Sequence, residues 1–317
     1  MIFFKNSIFL IIFLYSFNVL SEPLVNSYWL EDKICKEGFI VLEVYRSKKN
    51  YELAHIPCSV YTNFYESGWR ENKNNIPLLL PKKDQLVKVI EEHGISNFDH
   101  VIISAPGTGL YDAAETTAIY FTFKYLGHEK ISILDGGFKD WTKEWDRDLE
   151  TGSKKVKRGK FVAKLNNNIL AYKADVKELL SKTGYLVDAR PSDMYLGINM
   201  DFPAIRNGTL PNAINIPNAW MLRNKTLYFQ SIEKLKNIYN FSGVNYKEGI
   251  VSFCNAGLES ALSWFVMSEL LNYPNNKLYE SSIAEWSLEE SLPMLSRFKK
   301  IEVNISEGDG FSMKPDN

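Results

Sequence analysis

The sequence predicts an α/β protein made of two copies of one unit. Each copy is a parallel sheet flanked by helices, and the two are related by pseudo-two-fold symmetry. Three observations lead there. Short apolar runs of strand character alternate with segments of helical periodicity, which implies parallel pairing with helices on the sheet faces. The order of these segments in the first half recurs in the second. The stretch Asp135-Gly136-Gly137-Phe138-Lys139-Asp140-Trp141 is matched position by position by Glu280-Ser281-Ser282-Ile283-Ala284-Glu285-Trp286.

The elements follow in order. Residues 39–45 read as a strand, and His55-Ile56-Pro57 as a turn before an irregular segment through Pro77 and Pro81. Residues 83–93 form a helix with Leu86, Val87, Val89 and Ile90 on one side. A strand at 101–104 precedes a helix at 112–126, which Gly127 stops. A strand at 131–134 then runs into the motif that ends in Trp141. In the second unit, strands are expected at 185–188, 250–253 and 277–279, and helices at 232–238 and 261–271. Gly208-Thr209-Leu210-Pro211-Asn212-Ala213 takes the place of the earlier His-Ile-Pro turn. A last short helix is expected at 288–295, and the segment from 305, with Gly308, Gly310 and Pro315, reads as loosely attached.

The resulting division is a first unit at 22–145, a linker at 146–168, a second unit at 169–296 and a tail at 297–317. The linker reading rests on Gly152, Ser153, Gly159, Asn166-Asn167-Asn168 and the cluster Lys154-Lys155-Val156-Lys157-Arg158, a polar and solvated composition.

The candidate chemistry lies at Cys254. The apolar run Ile250-Val251-Ser252-Phe253 leads into this cysteine, and Asn255-Ala256-Gly257-Leu258-Glu259-Ser260 leads on into a helix. A thiol at a helix mouth faces unpaired N–H groups and the positive end of the helix dipole, which favours the nucleophilic thiolate. Locally, a small buried core residue explains the cysteine equally well. The repeat separates the two readings. Glu43 and Asp188 are offset like Trp141 and Trp286, but the offset grows over the middle strands. The first unit's loop, Ala105-Pro106-Gly107-Thr108-Gly109-Leu110, therefore carries extra residues, and it has no cysteine. The turn does not need a thiol to form, so Cys254 belongs to chemistry, with an inert first unit beside it.

At 317 residues, 45% hydrophobic and 24% charged, the chain has room for two ordinary domains. A net charge of −1 gives no reason to expect nucleic acid or an anionic membrane as partner. Residues 1–21 have the pattern of a secretory signal: Lys5, an apolar run, then Val19-Leu20-Ser21, with cleavage expected after Ser21 and a periplasmic destination. The sequence has 3 cysteines, an odd number for an exported chain. Cys35 and Cys58 are able to pair, which would leave Cys254 free. With no Cys-x-x-Cys pair and its histidines dispersed, no metal is expected.

These motifs, with Leu186-Val187-Asp188-Ala189-Arg190 and the cysteine loop, resemble the tandem-domain rhodanese family, the thiosulfate and 3-mercaptopyruvate sulfurtransferases. The likeness spans about residues 24 to 290, and with the signal it is nearest the exported bacterial type. It implies that Cys254 takes a sulfane sulfur from a small anionic donor, becomes a persulfide, and passes the sulfur to a thiol or cyanide. No further cofactor is implied, and a monomer is expected. Backbone N–H groups from Asn255, Ala256, Gly257, Leu258, Glu259 and Ser260 would cradle the sulfur as an anion nest. The resemblance also gives Arg190, at the carboxyl edge of its strand, the role of binding the donor anion. It sets His55 toward the cleft between units, where a purely structural turn histidine is the competing reading. Asp188 and Asp135 read as loop-fixing residues.

The loop departs from the family's patterns. Thiosulfate-type members resemble Cys-Arg-Lys-Gly-Val-Thr and mercaptopyruvate-type members Cys-Gly-Ser-Gly-Val-Thr. Here the cations are missing, Ala256 stands at the serine position, and Glu259 adds a negative charge. Glu259 is expected to turn to solvent or pair with a base, because inward it would raise the thiol pKa and repel an anion. Ser260 stands where related phosphatases carry the arginine of Cys-x5-Arg, which argues against phosphatase action. The alternative function is a non-catalytic exported module that binds a partner, or carries or senses sulfur, through Cys254.

Overall fold

The computed structural model describes residues 21–223 and 226–298. The expected signal segment, apart from its last residue, and nearly all of the expected tail lie outside them. The first unit contains β1 (Leu24–Val25), α1 (Ser27–Glu31), β2 (Phe39–Val44), α2 (Lys48–Leu53), β3 (Val60–Thr62), β4 (Glu71–Lys73), β5 (Ile76–Leu79), α3 (Lys83–Glu92), β6 (His100–Ser104), α4 (Leu110–Tyr125), β7 (Ile131–Leu134) and α5 (Gly137–Trp141). The second contains β8 (Leu170–Ala171), α6 (Lys173–Leu179), β9 (Tyr185–Asp188), α7 (Ser192–Leu196), β10 (Ile214–Asn215), α8 (Ile232–Phe241), β11 (Ile250–Phe253), α9 (Leu258–Phe265), β12 (Asn276–Tyr279) and α10 (Ser282–Trp286).

The two large sheets are parallel and share one topology. The first runs β1-β7-β6-β2-β3, and the second, read in the same sense, β8-β12-β11-β9-β10. Their central strands, β6 and β11, are fully buried over Val101 to Ser104 and Ile250 to Phe253, as continuous apolar runs covered by helices on both faces should be. β4 and β5 form a separate antiparallel hairpin, an addition that the second unit lacks among its described residues.

The units meet along α4 and α9, the helices that follow the two central strands. Every residue of α4 from Ala113 to Phe123 is buried, so this helix is enclosed on all sides. Its threonines satisfy their hydroxyls on its own carbonyls, Thr117 on Ala113 at 2.7 Å and Thr122 on Ala118 at 2.9 Å. Across the seam Phe121 meets Trp264 edge to face at 4.8 Å, and Tyr120 meets Phe265 at 4.8 Å. The Tyr120 hydroxyl donates to Glu269 at 2.7 Å.

Two expectations are corrected. Residues 288–295 are not helical. The Arg206 guanidinium donates to the carbonyls of Trp286, Ser287, Glu289 and Leu292, so these groups need no helical partner, and Leu295 bridges to Thr209. The helix expected at 261–271 begins earlier, at Leu258, and changes to a π-helical turn over Val266–Leu270. The segment 146–168 is exposed throughout 151–158 and runs along the first unit, held by Glu150 against His55, Arg158 against Glu91 and the buried Phe161. Cys35 and Cys58 form a disulfide, which leaves Cys254 as the free thiol. Among the described residues no helix is long and apolar enough to cross a membrane.

The seam is open to a direct test. Trp264 is 1% exposed, and its indole N–H donates to Asn276 O at 3.2 Å. Trp264→Ala should lower unfolding stability in urea by about 3–5 kcal/mol. A loss below ~1 kcal/mol would show that the seam contributes little beyond an exposed contact.

Candidate active site

Cys254 is the first residue past β11, and α9 begins at Leu258, so the sulfur sits at the carboxyl edge of the sheet. Its side chain is 1% exposed. Gly257 makes the tight turn possible: its φ is +78°, and a Cβ there would lie 2.5 Å from Glu280 O. The loop is sewn to the start of α10. Ile283 and Ala284 donate their N–H groups to Cys254 O at 3.1 Å and Asn255 O at 2.9 Å. Ser282 Oγ accepts the Cys254 N–H at 3.0 Å and donates to Tyr279 O at 2.7 Å.

The expected nest is narrower than residues 255–260. The N–H groups of Ala256 and Ser260 address the sulfur, and the Ser260 hydroxyl lies 3.4 Å from Sγ. These donors favour the thiolate, but they do not prevail. Burial, and then the Glu259 carboxylate, push the thiol above its ordinary value. Burial thus acts against the thiolate preference expected from the helix mouth.

Cys254 borders a cleft of about 520 Å³ between the units. Asn255, Ala256, Leu258 and Glu259 line it from the second unit, with Met194, Asp201 and Phe202; Leu78 and Tyr111 belong to the first. Glu259 does not turn away to solvent. It faces this cleft, and burial pushes its carboxyl up to about 7 against the pull of Arg190, with Asp188 and Asp201 adding to the rise. Gly257 and Ser260 lie behind the lining, one shaping the loop and the other backing the sulfur.

Arg190 does not reach the cleft. It is 2% exposed, and Asp188 holds it, taking Nε at 3.0 Å and Nη2 at 2.6 Å. Gly208 O accepts from Nη2 at 2.8 Å, and Asn255 Oδ1 from Nη1 at 3.4 Å. Asp188 also accepts from the Thr209 hydroxyl at 2.7 Å. The expected anion-binding arginine is therefore a buried structural one that braces Asn255 from behind. His55 is likewise away from the cleft. It is buried, stacked on Tyr51 at 4.0 Å, with Nδ1 2.9 Å from Tyr51 O and Nε2 toward Glu150 at 3.9 Å. Asp135 fixes a loop through the Phe229 N–H at 2.9 Å.

Several residues at the site carry no local signal in the sequence. Ser282, with φ 50°, anchors the Cys254 backbone. Asp201, Phe202 and Tyr111 come from loops and a helix start distant in the chain. Arg70 reaches from before the hairpin to within 3.8 Å of Glu280, beside the cysteine loop, and is also held by Thr122 at 2.9 Å and Ala118 O at 2.8 Å. Burial lowers Arg70 to about 10 and raises Glu280 to about 7. Among the described residues no group of three or more His, Cys, Asp or Glu is arranged to hold a metal ion.

Comparison with known proteins gives a consistent picture. The rhodanese-like domain family matches residues 27–144 and again 172–289. A sulfur carrier protein, TtuD, of Thermus thermophilus is 32% identical over 276 residues, covering 84% of this chain and 93% of its own. The 3-mercaptopyruvate sulfurtransferase of Escherichia coli is 29% identical over 250 residues, 78% of this chain and 85% of its own. The crystal structure of SseA from Escherichia coli superposes with a TM-score of 0.72 at 24% identity, covering 83% of this chain and 99% of that one, a likeness of fold.

Two outcomes follow from the electrostatics. Alkylation of Cys254 by iodoacetamide should rise with pH to a midpoint above the ~8.5 of an ordinary thiol, and Glu259→Gln should move that midpoint down. A midpoint below ~8 in the unaltered protein would contradict the geometry. Arg190→Ala should cost about 3–5 kcal/mol in urea unfolding, because Asp188 keeps a buried charge without its partner. A substrate-only role for Arg190 would leave stability unchanged.

Proposed function

We propose, on the premise that the chain belongs to the rhodanese-like family in its tandem-domain form, that it is a sulfurtransferase working through a persulfide on Cys254. The single observation carrying this is the free thiol at the carboxyl edge of β11, facing a cleft that both units build. Relatives named 3-mercaptopyruvate sulfurtransferase and sulfur carrier protein support the reaction class. Covalent catalysis divides the transfer into loading and unloading of one sulfur. Ala256 and Ser260 N–H groups, with the Ser260 hydroxyl, are the donors available to the sulfur in either state.

The first unit acts as a wall rather than a second catalyst. Its equivalent turn has Ala105 after β6, while Leu78 and Tyr111 close the cleft over Cys254. An extracytoplasmic location, expected from residues 1–21, is supported by the Cys35–Cys58 disulfide, since such bonds persist in oxidising compartments.

A carrier role is the second reading. The TtuD relative bears that name, and carrying sulfur on Cys254 would use the same persulfide. The two differ in unloading. The intact mass of the protein, measured after incubation with thiosulfate, 3-mercaptopyruvate or a low-molecular-weight persulfide, should increase by one sulfur atom, and Cys254→Ser should show no gain. Multiple turnovers with cyanide or a small thiol would mark the transferase. Stable loading without turnover would mark the carrier, and no adduct from any donor would remove both.

A further inference from the structure

We infer that the cleft selects positively charged substrates: the sulfur compound loading Cys254 is an amine- or quaternary-ammonium-bearing persulfide rather than a small free anion. The inference deepens the transferase reading and rests on it for the identity of the transferred group. The cleft's charge carries it. Of the residues lining the cavity, the charged ones are Asp201 and Glu259, both acidic, and no lysine or arginine joins them. Two arginines that touch lining residues are paired with carboxylates. Arg190 is locked on Asp188 behind the loop. Arg46, whose side chain is 56% exposed and whose guanidinium lies over the Tyr111 ring at 5.3 Å, is paired with Glu115 at 2.6 Å.

The rest of the lining suits the same class. Tyr111 and Phe202 are 56% and 85% exposed, and both border the cavity. Aromatic faces attract cations through their quadrupoles; Tyr111 already takes the Arg46 guanidinium in this way, and Phe202 offers its face to a substrate ammonium. Leu78, Leu110, Met194 and Leu258 supply apolar walls for a short carbon stem. A dianion entering the same space would meet Asp201 and Glu259 and no lining lysine or arginine.

The loading step balances without a redox partner. The Cys254 thiolate attacks the outer sulfur of R–S–SH, the donor's S–S bond breaks, and R–S⁻ leaves with its electron pair. The outer sulfur keeps its hydrogen, so Cys254 becomes Cys–S–SH. An acceptor thiolate then attacks that terminal sulfur and regenerates the Cys254 thiolate. The ammonium of R pairs with Asp201 and Glu259, and it also offsets the charge on the departing thiolate.

The test uses the full chain with its disulfide intact, where Cys254 is the reactive thiol. Rates of Cys254 modification are measured with methanethiosulfonates bearing 2-aminoethyl, 2-trimethylammonioethyl, 2-sulfonatoethyl or neutral methyl groups. Normalised to the neutral reagent on both the protein and a free thiol, the cationic reagents should exceed the anionic one by about tenfold or more at low ionic strength. Added salt should shrink the ratio. Asp201→Asn and Glu259→Gln should each reduce it several-fold, while the neutral reagent reports folding and thiol reactivity. Equal normalised rates for cation and anion, or a ratio that neither substitution alters, would overturn the inference. Labelling needs only the thiol, so a failure to form a persulfide would sink the transferase reading and leave charge selection standing.

Discussion

The structure depends on the burial of α4 against α9. These are equivalent helices, each leaving the central strand of its sheet, and each needs the other to cover an apolar surface. Their seam fixes where α9 begins, and with it the loop that holds Cys254. The same contact draws the first unit's hairpin and the start of α4 over the cysteine. Arg70 and Glu280 add a buried ionic link at the same junction, with a carboxyl oxygen of Glu280 otherwise lacking a hydrogen-bond partner. Truncating one partner of such a link should cost more than the link itself contributes.

Charge at the site is arranged in two layers. Behind the loop, Arg190 and Asp188 neutralise each other with near-complete satisfaction of donors and acceptors, and they hold Asn255. In front, the carboxylates remain and the cation is hidden. A buried arginine so fully engaged stabilises the loop but contributes little to a ligand in the cleft, because its hydrogen bonds are spent and its field is largely cancelled by its partner. Glu259 shows the net result: the pull of Arg190 does not overcome desolvation and its acidic neighbours.

The repeat was legible because parallel sheets of this kind write themselves as buried apolar strands between helices, and β9, β11 and β7 fall where that pattern puts them. Cys254 was legible by comparing two copies of one turn. The Asp188–Arg190 lock was readable in principle, since residues two apart in an extended strand face the same side, but a strand-end arginine reads equally as a ligand-binding one. The inward Glu259 depended on how α9 rotates against its neighbours. The expected helix at 288–295 failed because Arg206, distant in sequence, takes over the carbonyls. Asp201, Phe202 and Tyr111 meet only through the seam, which no local pattern records.

The raised thiol and the acidic cleft are two faces of one arrangement. Burial, and then Glu259, push the Cys254 thiol above its ordinary value. A cation seated between Asp201 and Glu259 would cancel the field that disfavours the thiolate. By reciprocity of binding and proton release, a ligand that binds better to the thiolate form must lower the thiol pKa as it binds. Substrate charge would then do two things at once: select which sulfur compound enters, and generate the nucleophile that attacks it. An anionic donor could do neither, since its charge would add to that of Glu259 and hold the proton on the sulfur.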